Sequence, residues 1–264
     1  MMARLAFMTF LAGIAPTMAL ADTIQLSAAG SLRGALTDAA KAYEAASGNK
    51  VEVKWGASGL LKNEIAAGAK TDVFASANME HPQALHDAGK SGPTVLFARN
   101  KLCALVRPGL SVDTANLLDR MLDPAVKLAS STPKADPSGD YAFEVFAKAE
   151  TVKPGARAAL EKKALLLVGA ADSAVLPAER SAYAWHVAEG RADIFLTYCT
   201  NAMAAQQEAP GQQIVALPGS LAVGADYGLT VMNGAALAAQ DFARFIAAPE
   251  GQTILAKHGF APGQ

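Results

Sequence analysis

A short apolar run, Thr23 to Ser27, breaks at the small-residue stretch Ala28-Ala29-Gly30-Ser31-Leu32-Arg33, and a helical pattern follows to Ser47. The layout repeats at once: Val51 to Trp55 reads as a strand, Gly56-Ala57-Ser58-Gly59 as a turn and Leu60 to Ala67 as a helix. Successive strand-turn-helix units constrain the fold more than any other feature, because strands joined through helices pair in parallel and need cover on both faces. A serine at such a turn caps the helix or turns its hydroxyl outward, beside unpaired backbone N–H groups that favour an anion. On adjacent parallel strands the two turns converge at one edge of the sheet.

The alternation persists down the chain. Val73 to Ser76 is an apolar run, Met79 to Gly89 reads as a helix closed by glycine, Val95 to Ala98 and Lys101 to Val106 as two strands, Leu117 to Leu122 as a short helix, and Val126 to Ser130 as a strand. Tyr141 to Glu150 and Ala178 to Glu189 read as helices, and Ala192 to Thr197 and Ile214 to Leu217 as strands. The apolar run Gly228 to Val231 then precedes two closing helices around Pro249-Glu250-Gly251. The expected class is α/β, mostly parallel sheet with helices on both faces.

Met1 to Ala21 carries one basic residue, Arg4, an apolar core from Leu5 to Ala15, and the small-x-small ending Ala19-Leu20-Ala21. This is the pattern of a signal peptide cleaved after Ala21, and its core is too short to span a bilayer. It holds no cysteine for lipid attachment. A soluble, exported chain of residues 22–264 is expected. The net charge of −1, with no basic runs or aromatic clusters, gives no electrostatic case for nucleic acid.

Two further features sit where open α/β sheets bind ligands. Asp136-Pro137-Ser138-Gly139-Asp140 follows the strand ending at Ser130 and opens the next helix; it reads either as a third anion cradle or as an Asp-rich cap of that helix. Tyr198 stands at the carboxyl end of a strand, as a ligand or as core with its hydroxyl on backbone. His81, His86, His186 and His258 are scattered, without metal-ligand spacing, and no ligand role is expected of them. A secreted hydrolase is the enzyme alternative, but Ser58 lacks the G-x-S-x-G spacing and only His258, expected deep in a closing helix, follows in the right order.

These motifs together resemble one family: Ala28-Ala29-Gly30-Ser31-Leu32, Ala57-Ser58-Gly59 with Gly68-Ala69 behind it, Asp72 to Ala77, Asp136-Pro137-Ser138-Gly139-Asp140-Tyr141-Ala142, and Tyr198. In order and spacing the chain is similar to the molybdate-binding periplasmic proteins of ABC importers, the ModA family of type II solute-binding proteins. The resemblance implies a two-lobed periplasmic binding protein fold, each lobe a mostly parallel sheet, joined by a two-strand hinge. Lobe one would hold residues 22–100 and 224–264, lobe two residues 101–223.

It also implies a binding protein rather than an enzyme, a monomer with no cofactor, which carries molybdate or tungstate in the cleft to a membrane permease. Carried over, Ser31 and Ser58 match hydroxyl ligands, Ser138 a backbone N–H donor and Tyr198 a hydroxyl ligand. The last backbone donor aligns near Arg180, where the family has an apolar residue. Its side chain either enters the cleft or turns to solvent, whereas Arg33 is expected to point away. The rival is a binder of another small anion: sulfate, phosphate, or a carboxylate, which would normally need an arginine clamp. Cys103 and Cys199, the only cysteines, are either a disulfide or two buried thiols in neighbouring strands.

Overall fold

The computed structural model describes residues 21–174 and 180–263. The expected leader therefore lies outside the described residues, except Ala21, as does the start of the helix expected from Ala178.

The first half of the chain runs β1 (Thr23–Ala29), α1 (Arg33–Ser47), β2 (Lys50–Gly56), α2 (Ser58–Ala66), β3 (Val73–Ser76), α3 (Glu80–Asp87) and β4 (Val95–Val106). It continues with α4 (Leu117–Leu122), β5 (Leu128–Ser131), α5 (Pro137–Val152), α6 (Ala156–Lys163), β6 (Leu165–Val168), α7 (Ala182–Ala188), β7 (Ile194–Tyr198), α8 (Cys199–Glu208) and β8 (Gln213–Ala216). β9 (Gly224–Val231), α9 (Leu237–Ala247), α10 (Pro249–Lys257) and β10 (Ala261–Pro262) close it.

Strand order is β2-β1-β3-β9-β4-β7-β5-β6, with β8 and β10 also on β4. β1 pairs in parallel with β2 and β3, and β5 in parallel with β6 and β7. β4 and β9 run antiparallel to their neighbours. Two parallel triplets thus form the two lobes, and the strands between them join the lobes. Val95 to Lys101 of β4 pair with β9, while Leu102 to Val106 pair with β7.

The two strands expected around Arg99-Asn100 are therefore one. This polar pair does not interrupt the strand because each side chain finds partners on its own face. Arg99 Nε donates to Asp226 at 3.2 Å outside, and buried Asn100 donates to Thr200 Oγ1 at 2.8 Å inside. α6 and β6 add to the expected elements; β6 is an edge strand of four apolar residues, two of them exposed.

The closing helices complete the first lobe. Tyr43 of α1 packs its ring 5.1 Å from that of Phe242 and donates its hydroxyl to the Ala238 carbonyl at 3.0 Å. In the second lobe α5 buries Ala142, Val145, Phe146 and Ala149 against the sheet, an i, i+3, i+4, i+7 stripe. Cys103 of β4 and Cys199 of α8 form a disulfide, with Cα atoms 4.9 Å apart.

At Gly59 the lobes meet backbone to backbone. Its N–H donates to the Ala135 carbonyl at 2.9 Å, and an added Cβ would stand 2.7 Å from that oxygen and closer still to the Lys134 carbonyl. Only glycine permits this approach. The two halves are therefore in contact across the cleft.

Candidate oxyanion-binding site

The carboxyl ends of β1, β2, β3, β5, β6 and β7 all open on one cavity of about 770 Å³ between the lobes. Ser31, Ser58, Arg180 and Tyr198 line it, so four of the five residues singled out from sequence come together.

Neither serine caps a helix. Ser31 sits in a 3-10 turn, Gly30–Leu32, that precedes α1, and Ser58 is the first residue of α2 behind an Ala57 cap. Ser31 Oγ lies 3.0 Å from the Tyr227 hydroxyl. Ser58 Oγ accepts the Ala77 N–H at 3.1 Å, which leaves its own proton free. Tyr198, fully buried, donates to the Ala77 carbonyl at 3.1 Å and so bridges the lobes. The hydroxyl of Tyr198 is on backbone, as in the core reading, and the residue also lines the cavity. Burial holds the Tyr198 and Tyr227 hydroxyls well above the ordinary tyrosine value, so both remain protonated donors.

Ser138 is placed differently from the expectation. It does not line the cavity; its N–H donates to Asp136 Oδ1 at 3.0 Å, and its hydroxyl is buried without a partner among the described residues. The cause is local, because Asp136 caps α5 and takes the N–H that a third cradle would offer. Asp136 itself lines the cavity, and burial pushes its carboxyl up to about 6 against the pull of the Ser138 N–H. Its position before Pro137 at a helix start was the available signal.

The Arg180 guanidinium pairs with Glu208, whose other oxygen accepts the Ser181 N–H at 2.7 Å. The arginine therefore stands at the cavity wall as half of an ion pair with its side chain exposed, not as a free clamp. Arg33, expected to point away, lines the cavity with its guanidinium 5.2 Å above the Trp55 ring. His258 is likewise not deep in a helix: it follows α10 at the cavity rim, 2.8 Å from Asp38. Tyr227 escaped notice because β9 begins at Gly224, before the apolar run that marked it.

The model for bacterial extracellular solute-binding proteins matches residues 24–261. An uncharacterized protein of Pasteurella multocida is 33% identical over 240 residues, covering 90% of this chain and 98% of its own length. The molybdate-binding protein ModA of Azotobacter vinelandii is 29% identical over 140 residues, 52% of this chain and 55% of that protein. Among solved structures, the periplasmic molybdate-binding protein of Azotobacter vinelandii superposes with a TM-score of 0.73 at 19% identity, covering 91% of this chain and all of the other. The sulfate-binding protein SubI of Mycobacterium tuberculosis gives 0.76 at 20%, covering 91% and 87%. With the fold, the cavity between lobes and a match across almost the whole described chain in agreement, this protein belongs to the bacterial extracellular solute-binding protein family.

Proposed function

We propose that this protein captures molybdate or tungstate in the periplasm and delivers it, as a monomer, to the membrane permease of an ABC importer. One observation carries the reading: Ser31 and Ser58 of the first lobe and Tyr198 of the second line one cavity at the ends of parallel strands, with the serine hydroxyls as donors and the Tyr198 proton held on the Ala77 carbonyl. Neutral hydroxyls suit a small oxyanion, and each hydrogen bond to a charged acceptor contributes roughly 1.5–3 kcal/mol. The Arg180 pairing with Glu208 argues against a carboxylate clamp. No cofactor and no turnover are part of this reading, and ester and phosphoester panels should be left intact.

Asp136 supports a second reading. A carboxylate on the cavity wall accepts hydrogen bonds, and hydrogen phosphate carries a proton to give, whereas molybdate and sulfate at neutral pH carry none. Calorimetric competition of molybdate, tungstate, sulfate, phosphate and simple carboxylates against residues 22–264 decides between them. Tightest binding of molybdate and tungstate is expected; preference for phosphate would establish the second reading, and binding of none would end both.

A further inference from the structure

Among the described residues, the Ser31 side chain makes one hydrogen bond, with the hydroxyl of Tyr227, a fully buried residue of β9. The direction of that hydrogen bond decides whether Ser31 has a proton to offer the cavity, and the contacts of Asn100 favour one direction. Asn100 Oδ1 accepts the Lys101 N–H at 2.9 Å, which settles which end of the amide is oxygen. Its Nδ2 must then donate both its protons, one to Thr200 Oγ1 at 2.8 Å and one to the Tyr227 hydroxyl at 3.2 Å. Tyr227, accepting there, has a single proton to place between two neighbouring hydroxyls, Tyr198 and Ser31, and Ser31 Oγ at 3.0 Å is the one within hydrogen-bond distance. Ser31 accepts in turn and keeps its own proton for the cavity.

We propose that Asn100 and Tyr227, one on each of the two strands that join the lobes, are positioning residues that hold the Ser31 hydroxyl as a donor toward the bound solute. The inference rests on the anion reading of the cavity. Donors in series polarise one another, so the last hydroxyl binds an anion more strongly than a free serine would. The series of donors that ends at Ser31 starts at Asn100 on a joining strand, and Asn100 also donates to Thr200 of the second lobe.

The test is a double-mutant cycle of Ser31→Ala and Tyr227→Phe, read by calorimetry with molybdate, tungstate, sulfate and phosphate as probes. Tyr227→Phe keeps the ring packing and should weaken the tightest of the four by roughly three- to tenfold, the worth of one neutral hydrogen bond. In the Ser31→Ala background it should cause no further loss. Unchanged affinity in the single variant overturns the proposal, as does an equal loss with Ser31 already removed, which would mean a distorted hinge. Wild-type protein that binds none of the probes fails the oxyanion reading itself, a result distinct from a wild type that binds beside an indifferent Tyr227→Phe. If Tyr227→Phe does not fold, the wild type still decides by NMR. A contact from the Tyr227 hydroxyl proton to the Ser31 β-protons is expected, and a proton directed from Ser31 to Tyr227 overturns the assignment.

Discussion

At the residue scale, the site is a question of which protons are free. Ser31 and Ser58 both act as acceptors toward their protein neighbours, so both can donate outward. Ser31→Ala and Ser58→Ala should each cost roughly 1.5–3 kcal/mol of oxyanion affinity, measured by calorimetry, with the circular dichroism spectrum unchanged. Asp136 makes the site sensitive to acid. Its carboxyl is raised to about 6 by burial, so above that pH the folded state holds a charge that the unfolded state solvates better. The linkage sign follows: ionisation destabilises the fold above pH 6, and the penalty disappears as pH falls toward the ordinary value of 3.8. Oxyanion affinity should rise as pH falls through about 6, where a negative charge leaves the cavity wall. Asp136→Asn retains the cap and should remove this pH dependence while stabilising the protein at pH 7 by about 1–3 kcal/mol in urea titrations. The serines were legible in the sequence from their place after each strand. Asp136 was legible only as a cap, since nothing in one sequence says that a cap also faces a cleft.

Among the elements, β4 and α2 carry the most consequence. A glycine at the start of α2 lets the Ala135 carbonyl reach its N–H, so Gly59→Ala pushes the lobes apart without touching either core. The expected result is at least a tenfold loss of solute affinity, with the melting temperature of the empty protein little changed. Gly59 itself stood in the sequence as one more turn residue, because a close approach between distant segments leaves no local pattern. β4 was misread for a different reason: periodicity sees Arg99-Asn100 as a break, and only the partners Asp226 and Thr200, both distant in sequence, make it continuous. The second half of β4 holds one end of the Cys103–Cys199 disulfide, and the bridged residues are 96 apart. Closing so long a loop stabilises by about 4–5 kcal/mol in the chain-entropy model. Unreduced, unfolded protein should show no alkylatable thiol by intact mass, and reduction should lower the denaturant midpoint accordingly.

For the whole molecule, strand-helix alternation made the α/β class readable, and three strand-end motifs made the location of the site readable. The course of the sheet between the lobes was not, because antiparallel partners such as β3 and β9 are set by contacts far apart in the chain. Binding across the cleft favours the contacting arrangement of the lobes, so saturating solute should raise the melting temperature; at a hundredfold excess over Kd the linkage is about 2.7 kcal/mol. The path of the chain also sets an order of assembly. β9 lies between β3 and β4 in the sheet, yet it is made only after the second lobe is complete in sequence. A chain emerging from its amino end can therefore finish the second lobe, disulfide included, while β3 still presents a bare apolar edge of Val73 to Ser76. The first-made lobe is the last to close, and it waits unfinished for the final stretch of the polypeptide to arrive.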